Sequence, residues 1–164
     1  MHKREYARLV EARREHLYRL AYCYVKNQQD ALDIVGESVY RGLLHLHSLR
    51  EPEKFGAWMN GIVVHAALDR LRKHRPQEPW DEEAVSSIPA AEKDLSIEEE
   101  IDLYGALDLL TPEERTYIIL RFFEEYSFRE MGEILDAPES TVKSRIARIL
   151  RKLRRQLENR EVIT

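Results

Sequence analysis

The chain has 164 residues, of which 34% are charged, with few glycines and prolines and a formal net charge of −4. That length holds one ordinary domain or two small ones, the composition favours helices over a sheet, and the acidic balance requires any basic binding surface to be local. A single cysteine, Cys23, excludes an internal disulfide and a cysteine-based zinc site. No apolar run approaches a membrane span, and Met1-His-Lys-Arg is followed by Glu5 rather than by a signal-peptide core, so the expectation is a cytoplasmic protein.

In chain order, Leu9, Leu17, Leu20, Ala21, Tyr24 and Val25 carry one helical pattern from Glu5 to Lys26, which Asn27-Gln-Gln breaks. Asp30 opens a second helix whose buried stripe is expected to be Ala31, Ile34, Val35, Val39, Leu43, Leu44 and Leu46, with Asp33, Glu37 and Arg41 on another side. Asp30 and Asp33 suit its N-terminal end through the helix dipole. A loop runs from Leu46 to Phe55 past Pro52, and a third helix runs from there to His74. On its wheel Val63, Val64, Ala67, Leu68 and Leu71 form the packing side. Trp58, Ile62, His65, Asp69 and Arg72 form the other, and Arg70, Arg72, Lys73, His74 and Arg75 make a basic end. Short loops between such helices give a compact all-α unit.

Composition changes at Pro76. From there to Asp94 the chain has three prolines, many acids and no sustained period, so it reads as a flexible acidic linker, about residues 76–95, between a first domain of residues 1–75 and a second of residues 96–164. Ser96-Ile-Glu-Glu99 is a capping box ahead of a helix through Ile101, Leu103, Ala106, Leu107 and Leu110. Thr111-Pro-Glu-Glu114 is another, with proline at the first helical position, ahead of Ile118, Ile119, Phe122 and Phe123.

The last third reads as a helix-turn-helix. Ser127 and Glu130 form a third capping box; Phe128, Met131, Ile134 and Leu135 make the apolar face; Asp136 stands at the turn, where a left-handed backbone is needed, and Pro138 opens the next helix. At about 100° per residue, Val142, Ile146, Ile149, Leu150 and Leu153 point inward. Ser140, Ser144, Ala147, Arg148 and Arg151 point outward, with Thr141, Lys143 and Arg145 on the flanks. Small, hydroxyl-bearing and basic side chains on one face suit the major groove, where Arg and Lys meet guanine edges or phosphates and Ser bonds either way.

The motifs meet a family in order. Asp30-Ala-Leu-Asp-Ile-Val-Gly-Glu37, then Trp58 ahead of His65-x-x-x-Asp69-x-x-Arg72, then Leu110-Thr-Pro-Glu-Glu-Arg115 and Thr141-Val-Lys-Ser-Arg145 resemble the bacterial extracytoplasmic-function (ECF) sigma factors of the sigma-70 family. The resemblance covers nearly the whole chain. It implies two all-α domains, region 2 and region 4, and an alternative sigma factor that directs core RNA polymerase to particular promoters. It implies Asp30, Asp33 and Glu37 at the β′ clamp helices, and a loop at Leu46 to Phe55 that captures a flipped base of the −10 element. His65, Asp69, Arg72 and Lys73 would lie along that element. Region 4 would grip the β flap and read the −35 element through Ser140, Thr141, Lys143, Ser144, Arg145 and Arg148. An anti-sigma factor is an implied partner; no cofactor, metal, catalytic residue or small-molecule substrate is. Gly36 stands where the family usually has Gln, and His65 where it usually has Asn.

Two other classes fit the sequence less well. A response-regulator-like activator also ends in a helix-turn-helix, but its receiver domain would need alternating strands and helices, which residues 1–75 do not show. His45, His47 and His65 with Asp69 offer an enzyme the elements of a metal or acid-base site, yet no metalloprotease, phosphate-loop or nucleophile-elbow motif accompanies them.

Overall fold

The computed structural model describes residues 1–73 and 102–163, which fall into two compact units, Met1–Pro76 and Gln77–Thr164. Among the described residues there is no strand, and no helix is long and apolar enough to cross a membrane. The linker stretch and the Ser96 capping box lie outside the described residues.

In the first unit, α1 (Lys3–Ala12) and α2 (Arg14–Val25) replace the single helix expected from Glu5 to Lys26. The break is at Arg13, whose N–H bonds back to Val10 O at 3.1 Å in a tightened last turn. Residues 11–16 carry no large apolar side chain, so no hydrophobic anchor holds a continuous helix through them. Lys26 closes α2 in the left-handed conformation, φ 48°. α3 (Gln28–Leu44) starts two residues before Asp30, because Asn27 is its N-cap and accepts from Asp30 N at 2.9 Å. Two short 3₁₀ turns, Leu46–Ser48 and Pro52–Lys54, lead into α4 (Phe55–Arg72).

The core of this unit is made where α2, α3 and α4 pack on one another. Leu17, Leu20, Ala21 and Tyr24 of α2 and Phe55, Met59, Val63, Val64, Ala67 and Leu68 of α4 are buried where these helices pack together. The α3 stripe differs from expectation. Its buried residues are Ala31, Ile34, Ser38 and Gly42, while Leu43 and Leu44 are exposed. Small side chains let helix backbones approach closely, and that close approach, rather than side-chain size, selects the inward face of α3. Ser38 is tolerated there because its hydroxyl donates to Ile34 O at 2.6 Å.

In the second unit, α5 (Leu103–Ala106) is a single turn capped by Asp102 and continued by a 3₁₀ turn, Leu107–Leu109. Asp102 has extended backbone, so the helix expected to run through Ile101 and Leu103 does not pass it. α6 (Pro112–Ile118) opens on a complete Thr111–Glu114 capping box with Pro112 in its first turn. It widens into a π turn at Ile119–Phe123. A π turn adds a residue per turn and so rotates the side chains beyond it. Phe122 is therefore only half-buried and Phe123 is exposed, although the helical pattern places both inward. α7 (Phe128–Leu135) and α8 (Glu139–Ile163) complete the unit over a core of Leu107, Leu110, Ile118, Met131, Ile146 and Leu150, among others.

Candidate nucleic-acid interface

The helix-turn-helix is built from local rules. Ser127 Oγ accepts Glu130 N–H at 3.1 Å while Glu130 Oε1 accepts Ser127 N–H at 2.9 Å. The Ser127 backbone bond, with its hydroxyl, holds the Glu130 carboxyl below its ordinary value. Asp136 closes α7 at φ 52°, and Ala137 N–H returns to Gly132 O at 2.9 Å. A Cβ on Gly132 would stand 2.6 Å from Ala137 O, so the turn can fold back only over a glycine. Pro138 precedes α8 rather than occupying its first turn; its carbonyl accepts Val142 N–H at 3.1 Å.

Along α8, Val142, Ile146, Ile149, Leu150 and Leu153 are buried. Ala147, expected outward, is buried as well, because both α6 and α7 pack on α8 and the covered arc is wider than one stripe. Ser140 is exposed, and Thr141, Lys143, Ser144 and Arg148 are half-exposed around the remaining face. Arg145 is drawn toward the unit, donating from Nη1 to Tyr117 Oη at 2.8 Å. Lys143 Nζ lies 5.7 Å from the Phe128 ring centroid, a ring that Arg121 also covers at 4.2 Å. Lys152, on the basic tail of the helix, is tied to Glu114 at 2.6 Å.

In the first unit, Asp30 and Asp33, expected at polymerase, and Asp69, expected at the −10 element, are bridged between α3 and α4. Arg70 Nη2 bonds Asp30 Oδ1 at 2.8 Å and Asp33 Oδ2 at 3.3 Å. Arg41 reaches Glu37 Oε1 at 3.1 Å and Asp69 Oδ2 at 2.9 Å. Burial opposes the charge on Arg41, but the hydrogen bonds it donates to Asp69 and Glu37 outweigh that and raise its pKa. A groove of about 520 Å³ runs between the helices past Leu32, Gly36, Glu37, Asp69, Arg70 and Lys73. His65 and Arg72 lie on α4 and Lys73 at its C-terminal cap, all three exposed.

Two features escaped sequence reasoning. One is the pair of bridging arginines, Arg41 and Arg70. The other is an exposed apolar stripe on α3, with Leu32 44%, Tyr40 59%, Leu43 40% and Leu44 55% exposed. A signal for the stripe existed: α3 carries more large apolar residues than one buried face can use.

The loop between α3 and α4 is pinned from beneath by Leu46 and Leu49, both buried. Trp58 Nε1 donates to Ser48 Oγ at 3.1 Å, and Ser48 Oγ donates to His45 O at 2.7 Å. His45, His47, Arg50 and Lys54 are exposed around it, the two imidazoles 6.2 Å apart. Among the described residues, no three His, Cys, Asp or Glu side chains gather to hold a metal ion.

Comparison with known proteins decides the family. The model of Sigma-70 region 2 matches residues 9–77, and that of Sigma-70, region 4 matches residues 106–155. RNA polymerase sigma factor SigV of Bacillus subtilis is 39% identical over 149 residues, covering 91% of this chain and 89% of that one. The chain belongs to the ECF sigma factors of the sigma-70 family. ECF RNA polymerase sigma factor SigM of Mycobacterium tuberculosis is 32% identical, covering 88% of this chain and 74% of its own. SigW of Bacillus subtilis is 29% identical over 94% of this chain and 89% of its own. In fold, the sigma factor matches RpoE of Bartonella quintana, crystallised with the anti-sigma factor NepR, at a TM-score of 0.66 and 18% identity, over 94% of this chain and 97% of that one. The region 2 match takes up most of residues 1–75, where a response regulator would carry its receiver domain.

Proposed function

We propose that this sigma factor assembles with core RNA polymerase through α3, holds melted −10 DNA on α4 and the loop before it, and reads the −35 element with α8. The observation that carries the reading is the α3 surface. Four large apolar side chains, three of them close together at Tyr40, Leu43 and Leu44, stand in solvent along a helix whose other face is packed, and such exposed apolar surface marks a protein-protein contact. Asp33 and Glu37 flank it, held in exposed ion pairs that contribute only about 0–1 kcal/mol each to folding. A partner's cations can therefore exchange with Arg41 and Arg70 at little cost to the fold.

DNA contacts rest on side-chain chemistry. An irregular loop that exposes two imidazoles and two cations offers stacking planes and phosphate contacts to an unstacked strand. His65, Arg72 and Lys73 extend that track along α4, and Asp69 orders Arg41 behind it. On α8, Ser140, Thr141, Ser144 and Arg148 take the base edges and Lys143 the phosphates, while Arg145, braced on Tyr117, is held for a backbone contact at the groove wall. Residues 1–75 and 96–164 act as the two binding domains, with 76–95 as the span between them. The protein works in the cytoplasm, under an anti-sigma factor that occupies one or both of these surfaces; SigV and SigW, its relatives, and RpoE, its neighbour in fold, give this reading its context.

Run-off transcription with purified core polymerase on genomic fragments tests the whole reading. Discrete start sites that require the sigma factor are expected. Transcription indistinguishable from core polymerase alone would overturn it.

A further inference from the structure

Tyr6 stands outside the stretch that matches region 2, which begins at residue 9, yet it is the buried residue of α1. Its ring meets Phe55 edge-on at 6.1 Å and Trp58 at 6.4 Å, and its hydroxyl donates to Val39 O on α3 at 2.7 Å. The hydroxyl fits because residue 42 is glycine. A Cβ there would collide with Tyr6 Oη and would lie 3.2 Å from Tyr6 Cζ and 3.4 Å from Trp58 Cη2. Trp58 in turn holds Ser48 in the α3–α4 loop, and Ser48 closes the 3₁₀ turn through His45 O. One unbroken series of contacts therefore runs from α1 through the gap at Gly42 to the loop.

We infer that Tyr6 is a positioning residue for single-stranded promoter DNA, setting the height of the Trp58 ring, and through Ser48 the shape of the loop, by filling the space that Gly42 leaves. This rests on the reading of the loop as the −10 contact. The physical argument is that a base pocket works only if its walls keep their places when DNA is absent, and this loop has no regular ladder of its own beyond two short turns. Its walls are set instead by a tryptophan wedged between a buried phenol and a helix backbone. Tyr6 need not touch DNA for its loss to be felt at one nucleotide.

The test is a suppressor pair assayed in holoenzyme. Wild type, Gly42→Ala, Gly42→Ala with Tyr6→Phe, and Ser48→Ala are each assembled with core polymerase. They are then offered a pool of short single-stranded oligonucleotides of randomised sequence, with sequencing of the bound fraction. Gly42→Ala forces the phenol against Trp58, and is expected to weaken binding about tenfold, the value of one stacked base, and to erase preference at one position only. Tyr6→Phe removes the colliding oxygen and is expected to restore both affinity and preference. Affinity for core polymerase stays unchanged throughout, which a general loosening of the unit would not allow. A Gly42→Ala holoenzyme that binds as wild type does, or a double variant that fails to recover, overturns the role of Tyr6. Unchanged binding by Ser48→Ala overturns the loop reading itself, and the inference with it.

Discussion

The two units present opposite kinds of surface and hold them by opposite means. The first unit shows solvent exposed apolar side chains on α3, Leu32, Tyr40, Leu43 and Leu44, and ties α3 to α4 by ion pairs, Arg70 with Asp30 and Asp33 and Arg41 with Asp69, Arg41 pairing also with Glu37 on its own helix. The second shows hydroxyls and cations on α8 and keeps its shape by capping boxes at Thr111 and Ser127 and a left-handed turn at Asp136. A protein partner rewards exposed apolar area, whereas DNA rewards positive charge brought to its phosphates. The difference is the reason for assigning α3 to polymerase and α8 to the duplex in the function proposed above.

The strongest way to break that contrast is to charge the apolar stripe. Tyr40→Glu combined with Leu44→Glu should cost about 2 kcal/mol or more in affinity for core polymerase, roughly thirtyfold, as loss of interface anchors does. Thermal unfolding should be unaltered, since both side chains are more than half exposed. An anisotropy titration that shows wild-type affinity would remove α3 from the polymerase contact.

Next in size is a comparison of two glycines, one in each unit. Gly132→Ala drives a Cβ into Ala137 O and should destabilise the second unit by about 1–3 kcal/mol, the usual cost of overpacking, with loss of duplex promoter binding. Gly36→Ala meets nothing within 4 Å and should instead stabilise α3 by up to about 1 kcal/mol through helix propensity. Urea denaturation of the two variants checks both signs; equal effects would show that the close approach at Gly132 does not constrain the turn.

On α8 itself, Arg148→Ala should cost about 1–3 kcal/mol and relax preference at one promoter position, whereas Lys143→Ala should weaken all sequences alike and lower the salt slope by about one. The same loss of selectivity in both variants would merge readout with positioning.

The smallest effects appear only at the extremes of pH, and they separate the units. Burial pushes the Tyr6 phenol up to about 12. A raised value in the fold means that the stabilisation is complete below the ordinary tyrosine value near 10 and is lost as pH rises toward 12, so alkali loosens the first unit and Tyr6→Phe removes that step. Glu130 is shifted down, so its contribution is present above the ordinary carboxylate value and fades as pH falls through the folded one. Acid therefore loosens the cap of α7, and Glu130→Gln removes that step. Circular dichroism melts across pH would show the two losses at opposite ends; a single common profile would contradict the assignment.

What the amino-acid order determined by itself was whatever a few neighbouring residues decide. Capping at Thr111 and Ser127, the turn at Asp136 and the inward set on α8 are written in short-range patterns, a cap and its partner three residues on or a repeat of three to four, and each is legible in the sequence alone. Tertiary packing decided the rest. Only the close approach of helices turned Ser38 and Gly42 inward on α3 in place of Leu43 and Leu44, and only the approach of α6 and α7 covered Ala147. The pairing of Arg41 with Asp69 spans 28 residues and that of Arg70 with Asp30 spans 40, distances at which no local pattern specifies a partner. Helical periodicity says which residues share a side, but the side that faces inward is chosen by whichever neighbour excludes more water from it.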